Sequence, residues 1–421
     1  MDKYDLIVVG AGITGLSAAY HIKRENPDMN ICIVEKEATY AQGNTGKSAS
    51  AFRDLFISDL NFKLTSSSIS FYKHVQEDLG FDLGMNFCGY LFLMDKNSLD
   101  DASISKVRKM TDTEILDRAQ ISDLGINCTP DPEVAQVMGL KNIDGGLLGK
   151  NCGIIEPDLI ASYYNQEIEK MNVDIKYNTR VEKLNLAPVK KLIYPGEPFV
   201  WQEKTIESIE TSRGQMKAET YLLATDVWTT ALLDPIGVDS HIRPKKRQLF
   251  QVSGDKIKKM VNRNYKNEAG TFPFTIFPKP WIYIRPEPKS QSFWATVADD
   301  IGRSFSLEDD PQPEIDFYNR NVLLVAQEYV SAFKDAKVTS SWAGYYSYNT
   351  IDGNYYIFNE LNMAVATGSS GSGIMKGDAA GRIISALISG KEKATLYDGQ
   401  SIVISDLGIK NRKSPVEELI I

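Results

Sequence analysis

Gly10, Gly12 and Gly15, spaced G-x-G-x-x-G, with Glu35 twenty residues beyond the last, carry the first chemical signal in the chain. Glycines at this spacing, at the mouth of a helix, form a turn that binds the pyrophosphate of a dinucleotide. Gly10 permits the tight turn, Gly12 lets the backbone approach the phosphates, and Gly15 lets helix and strand pack closely. Free N–H groups at Ile13 and Thr14 then face anionic oxygens. Glu35 supplies a carboxylate for the hydroxyls of an adenosine ribose and would repel a 2′-phosphate. The plain alternative is a glycine turn in an ordinary α/β domain. Against it stand the surroundings: Tyr4 to Val9 is an unbroken apolar strand leading into the turn, and Ile31 to Val34 is a second strand that ends at Glu35.

The elements that must position such a turn need room. A length of 421 residues exceeds one ordinary hydrophobic core, so two domains are expected, and 43% hydrophobic residues suffice to fill both. A net charge of -8 leaves no basic footprint for nucleic acid. No run of about twenty apolar residues could span a bilayer, and the apolar start reads as the first strand of the nucleotide fold, not as a cleaved signal. Cys32, Cys88, Cys128 and Cys152 form no Cys-x-x-Cys pair, which suits reduced thiols in a cytoplasmic protein and argues against a metal site. Of the three histidines, His21 and His74 fall within helical stretches and read as structural.

Along the chain, a polar loop from Gln42 to Ser50 precedes a helix expected from about Leu60 to Leu79. Strand and charged helix follow, Gly89 to Met94 and Ser103 to Arg118, as a separate lobe. Nucleotide-fold grammar then resumes: a helix over Pro157 to Met171, strands over Asp174 to Tyr177 and Arg180 to Leu184, and a buried parallel strand over Glu219 to Ala224. The stretch from about Leu186 to Glu203 reads as a surface insertion. From Arg243 to about Phe305 aromatic, alternating strands predict an antiparallel sheet. The strand Met363 to Thr367, a Gly/Ser loop from Gly368 to Gly373 and a helix from Asp378 to Ile388 close the pattern.

Taken in order, Gly10 to Gly15, Glu35, the loop Gly46 to Arg53, Leu223 to Trp228, Trp342-Ala343-Gly344, Asp352-Gly353 and Ala366 to Gly373 resemble the D-amino-acid oxidase superfamily of FAD-dependent oxidoreductases, which includes glycine and sarcosine oxidases. The stretch Trp342 to Thr350 looks most like the branch containing the complex I assembly oxidoreductase and its microbial relatives. The resemblance implies α/β plus α+β architecture. A Rossmann-like FAD-binding domain would be assembled from 1–85, 151–239 and 336–421, and an antiparallel-sheet substrate domain from 86–150 and 240–335. It implies FAD, bound noncovalently because no cysteine lies in the C-terminal half, held by Gly10, Gly12, Ile13, Thr14, Gly15, Glu35 and Lys36. Thr45, Lys47, Ser48 and Ala49 would follow the isoalloxazine ring. Val181, Ala224, Thr225, Trp228 and Gly344 complete the set with Gly371, Ser372, Gly373, Ile374 and Met375.

The implied reaction is oxidation of a small carboxylate-bearing amine, an amino acid or N-methyl amino acid, by hydride transfer to flavin N5. Such a site needs a cationic anchor and little acid–base machinery. Arg53 ends the loop that runs along the ring in the family, against the alternative of a surface arginine. Tyr283 and Arg285, two apart on a strand, share one face as wall and carboxylate clamp, against that of a solvent-facing pair. Met375 stands where the family places a flavin-facing lysine or glutamine, and Lys376 one beyond, so its amine faces either flavin or outward. Tyr346 occupies the position of a carboxylate-binding arginine, and Trp294 that of an oxygen-activating lysine, which favours a dehydrogenase over an oxidase. The alternatives are a 2-hydroxy acid or glycerol-phosphate dehydrogenase and a flavin-bearing electron-transfer or assembly partner. The electron acceptor and any homo-oligomer stay open.

Overall fold

The apolar run at the start of the chain forms a strand, Tyr4–Val9, inside a six-stranded sheet. The structure is a computed structural model that describes residues 4–298, 306–410, 412–414 and 416–417. Ile31–Val34 and Ala218–Leu223 flank the first strand in parallel, with Val9 opposite both Val34 and Leu223. Met363–Thr367 and Asp174–Lys176 extend the parallel sheet, and Tyr356–Glu360 closes one edge antiparallel. Both faces of Tyr4–Val9 are covered, which is why its sequence is continuously apolar instead of alternating. Leu6 and Val8 join a core built with the helices Ile13–Glu25, Pro157–Lys170 and Gly377–Ile388. Ile7 and Val9 pack with Leu184, Ile206 and Ile209 of a three-stranded sheet, Val181–Pro188, Lys204–Thr211 and Gly214–Met216.

A second, eight-stranded sheet runs in the order Lys337–Asn349, Ile242–Ser253, Ser292–Val297, Ile282–Glu287, Phe274–Ile276, Tyr90–Met94, Gly145–Gly149 and Thr113–Leu116. Only the contact of Phe274–Ile276 with Tyr90–Met94 is parallel. Phe250, Ile284 and Phe293 face one core, while Leu249, Phe274 and Tyr283 face the other.

Most expected elements lie within a residue or two of their expected limits, and two readings need correction. The stretch Ser103 to Arg118 is not one helix. The helix Ala102–Met110 ends before Thr111, and Thr113–Leu116 is drawn into the sheet edge by pairing with Gly145–Gly149 before Arg118–Asp123 begins. Helical spacing there loses to ladder hydrogen bonds that a local pattern cannot reveal. The nucleotide segment expected from 336 also starts too early, since Lys337–Asn349 pairs along its length with Ile242–Ser253 and belongs to the larger sheet. The four cysteines are free and buried, as reduced thiols would be. No helix among the described residues is long and apolar enough to cross a membrane, and those residues contain no cluster fit to hold a metal ion.

Candidate active site

Between the two sheets lies a cavity of about 460 Å³ whose floor is the glycine turn. Gly10 has φ +103°, and a Cβ on it would lie 2.7 Å from the Ala224 carbonyl oxygen, so no other residue fits where the first strand approaches the end of Ala218–Leu223. Gly12 differs: a Cβ there meets only Thr45 Oγ1, at 3.2 Å, and otherwise points at open cavity. Gly12 caps the helix Ile13–Glu25 without any side-chain hydrogen bond. Ile13 and Thr14, the first two residues of that helix, line the cavity, and Ile13 N–H donates to Thr45 Oγ1 at 3.1 Å. Thr14 completes the rim through a 2.6 Å hydrogen bond between its hydroxyl and that of Tyr355. Gly15 lies outside the cavity wall. A side chain on it would lie 2.0 Å from the Gly10 carbonyl oxygen, so its part is helix–strand packing.

Glu35 and Lys36 line the same cavity with Thr179, Arg180 and Val181. Glu35 is buried and holds the turn as well as facing the cavity, for its carboxylate accepts from Ala11 N–H at 2.7 Å and Glu37 N–H at 2.9 Å. Lys36 places its amine 4.2 Å from the centre of the Trp228 ring. The loop carrying Thr45, Lys47, Ser48 and Ala49 is fixed from the larger sheet: Trp342 Nε1 donates to the Lys47 carbonyl at 3.0 Å, and Tyr345 N–H donates to Asn44 Oδ1 at 2.8 Å. Those contacts explain the Trp342-Ala343-Gly344 motif, since a Cβ at Gly344 would stand 3.0 Å from Asn44 Oδ1. Asn44 also donates to Asp226 Oδ2 at 2.6 Å, and burial raises the pKa of that carboxyl. The 306–314 segment is pinned to the rim, with Asp309 pairing Lys36 and Arg180 and Asp310 pairing Lys47.

The wall supplied by the larger sheet carries Arg247, Leu249, Tyr283 and Tyr346. Arg247 and Leu249 alternate onto one face of Ile242–Ser253. The Arg247 guanidinium sits 5.0 Å from the centre of the Tyr346 ring, and that ring packs so closely on Gly371 that a Cβ there would lie 2.4 Å from it. Burial pushes both the Tyr283 and the Tyr346 phenol up, and the Arg247 charge opposes the shift at each.

Of the residues expected from sequence, Gly10, Gly12, Ile13, Thr14, Glu35, Lys36, Thr45, Lys47, Ser48 and Ala49 line the cavity. So do Val181, Ala224, Thr225, Trp228, Gly344, Gly371, Gly373 and Ile374, together with Tyr283 and Tyr346. Ser372 and Met375 do not. The Ser372 hydroxyl donates to the Ser369 carbonyl, and Met375 is buried in the helix-side core.

Three expected cations are also elsewhere. Arg285 is wholly buried, with Glu287 Oε2 2.5 Å from Nη1 and the Trp294 ring centre 4.0 Å from the guanidinium carbon. Arg53 is boxed by rings, 4.1 Å from that of Phe56, and donates to the Leu55 carbonyl; its charge nevertheless acts on Tyr346. Lys376 turns away into a buried pocket, where Nζ donates to Asn61 Oδ1 at 2.6 Å and burial depresses its pKa from 10.5 to about 7. His21 is structural: Nε2 lies 2.7 Å from Asp378 Oδ1 inside the core. Asp352 anchors the C-terminal segment by accepting from Arg412 at 2.5 and 2.9 Å. Sequence reasoning missed Arg247, Asn44, Tyr355 and Arg180; for Arg247 the signal was the alternation of Arg243, Lys245 and Arg247 toward Leu249.

The cavity fits a dinucleotide. It offers a glycine cradle at a helix N-terminus, a carboxylate beside it, and the buried indole N–H of Trp228, which has no hydrogen-bond partner among the described residues. Comparison with known proteins agrees. A family model described as FAD dependent oxidoreductase (DAO) matches residues 5–387. The FAD-dependent oxidoreductase domain-containing protein 1 of Xenopus laevis is 25% identical over 423 residues, covering 92% of this chain and 79% of that protein. Glycine oxidase of Bacillus licheniformis is 22% identical over 409 residues, covering 93% and 95%. Among solved structures, L-proline dehydrogenase from P. horikoshii superposes with a TM-score of 0.71 at 21% identity, covering 93% of this chain and 94% of that one, which bears on the fold. The glycine cradle, the two-sheet architecture and a family match over most of its length together make this chain a member of the DAO family of FAD-dependent oxidoreductases.

Proposed function

We propose that the protein oxidises a small carboxylate-bearing amine, an amino acid or N-methyl amino acid, and that Arg247 holds the carboxylate. The observation that carries this reading is the Arg247 guanidinium on the cavity wall beside Tyr283, Tyr346 and Leu249. A planar fork of donors matches the two oxygens of a carboxylate. Tyr283 and Tyr346, kept protonated by burial, act as hydrogen-bond donors and walls, not as bases. Leu249 and the two rings keep water from the reacting carbon. Bound FAD would supply the two-electron acceptor, taking hydride at N5.

The names of relatives support an amino-acid substrate, among them glycine oxidase and L-proline dehydrogenase. The same arginine would also hold a 2-hydroxy acid, which is the second reading. Noncovalent FAD is supported by the cysteines, none of which lines the cavity among the described residues. Dehydrogenase rather than oxidase behaviour is supported by Trp294, which stands where the resemblance puts a lysine and packs edge-on against Trp342 at 4.8 Å.

The test is titration of the FAD-loaded protein with a non-oxidisable carboxylate such as benzoate, followed by the flavin spectrum. Arg247→Met should leave the unliganded spectrum nearly intact and weaken binding by about 2–5 kcal/mol, the range for truncating one partner of a buried charge pair. Arg247→Lys should rescue it only in part. Unchanged affinity in Arg247→Met would remove Arg247 from the substrate site.

A further inference from the structure

A pyrophosphate brings two negative charges, and the cations that line its cavity are already engaged. Among the described residues these are Lys36, Lys47, Arg180 and Arg247. Lys36 lies 3.2 Å from Asp309 and 3.4 Å from Glu37, Arg180 lies 2.8 Å from Asp309, and Lys47 lies 2.7 Å from Asp310. Arg247 belongs to the wall of the larger sheet, where it stacks on Tyr346 and donates to the Lys246 carbonyl at 3.1 Å. Three acids, Glu35, Glu182 and Asp226, line the same space. Charge pairing with a free lysine or arginine is therefore not what the glycine turn offers a phosphate.

It offers hydroxyls instead. Thr14, in the first turn of the helix Ile13–Glu25, and Tyr355 both line the cavity and share one hydrogen bond of 2.6 Å. Two hydroxyls carry two protons and the bond between them uses one. The other proton has no acceptor among the described residues. A phenol is the stronger acid of the pair, so the arrangement that serves an anion has Thr14 donating to Tyr355 and Tyr355 donating onward, each bond strengthening the other. Tyr355 is only 2% exposed, and burial holds its phenol protonated. The ring is fixed in the nucleotide core, and its backbone carbonyl accepts from Arg412 Nη2 at 3.1 Å. A buried, oriented donor acts on an anion at low dielectric, where its hydrogen bond is worth more than one made in water.

We propose that Tyr355 is a phosphate-binding residue of this chain: Thr14 donates to its phenol oxygen, and the phenol donates to an oxygen of the FAD pyrophosphate, so that a neutral donor takes the place of a lysine or arginine. The test has two readings on the full-length protein. The first is FAD affinity, from quenching of flavin fluorescence as flavin-free protein is titrated. Tyr355→Phe should weaken it about tenfold, the lower end for a hydrogen bond to a charged group. Thr14→Val should weaken it less, since it removes only the donor that polarises the phenol, and Thr14→Ser should keep wild-type affinity. The second is the phosphorus NMR spectrum of the FAD-loaded protein at saturating FAD, in which at least one pyrophosphate resonance should move in Tyr355→Phe. A resonance that moves together with the loss of affinity supports the proposal. Unchanged FAD affinity in Tyr355→Phe overturns it. Weaker affinity with unmoved phosphorus resonances also overturns it, because a phenol that only supports the fold would behave in that way. Resonances that move in Lys36→Met or Lys47→Met but not in Tyr355→Phe would overturn it in favour of the rim lysines.

Discussion

Arg285→Met separates two roles that the sequence alone left together. In the structure Arg285 is wholly buried against Glu287, whose side chain is 9% exposed, with Glu156 Oε1 at 3.9 Å and the Trp294 ring beneath it. Removing the guanidinium strands the Glu287 carboxylate in a poorly solvated site, a loss of about 3–5 kcal/mol. At about 2.1 cal/mol/K per residue, cooperative unfolding of a chain this long has an entropy of roughly 0.9 kcal/mol/K, so the thermal midpoint should fall by about 3–6 °C. Replacing both partners, Arg285→Met with Glu287→Leu, should recover most of that loss, because no charge is left unpaired. The assay is urea and thermal unfolding of the wild type, both single variants and the double, read as a double-mutant cycle, with benzoate affinity measured on the folded proteins. A single variant as stable as wild type but weakened in carboxylate binding would refute the reasoning and return Arg285 to the substrate site.

Gly12→Val should purify without FAD, since its side chain would occupy the space open to the pyrophosphate, and acid treatment of the wild type should release FAD into the supernatant. Flavin retained by the precipitate would contradict noncovalent binding. Lys376, depressed to about 7 in the fold against 10.5 when free, binds fewer protons folded than unfolded between those values. Its contribution to stability is therefore fully present above 10.5 and is lost as pH falls through 7. Urea midpoints of the wild type should rise relative to Lys376→Met between pH 7 and pH 10, and parallel profiles would count against a buried neutral amine. Protein reduced by substrate should reoxidise slowly in air-saturated buffer and quickly with a quinone, because Trp294 stands where the resemblance puts the oxygen-activating lysine. Rapid reoxidation with stoichiometric hydrogen peroxide in stopped flow would make the protein an oxidase.

The nucleotide half was legible because its signals are local. A strand buried on both faces reads as an unbroken apolar run, and the turn after it admits only glycine at Gly10. The cavity wall supplied by the larger sheet depends on which face of which strand meets the cavity, and that is set by sheet order. Tyr283 and Arg285 do share a face, but one step of about 6.6 Å along the strand carries the second residue past the cavity edge to Glu287 and Trp294. Counting from Gly373 could not orient Lys376, since one residue of the 3-10 turn Ile374–Lys376 swings the side chain by about 120°; the amine points at Asn61. Arg247 was equally visible as a residue type, yet only the pairing of Ile242–Ser253 with Lys337–Asn349, which sets Arg247 opposite Gly344, puts it at the site.

The most direct measurement is an anaerobic screen of the FAD-loaded protein against small amino acids, N-methyl amino acids, their decarboxylated amines and the matching 2-hydroxy acids, read as bleaching of the visible flavin absorbance. Expected are bleaching by at least one amine that bears a carboxylate, loss of that bleaching when the carboxylate is removed, and strong slowing in Arg247→Met. Bleaching by the decarboxylated amine as fast as by its parent, or by 2-hydroxy acids alone, would contradict this reading.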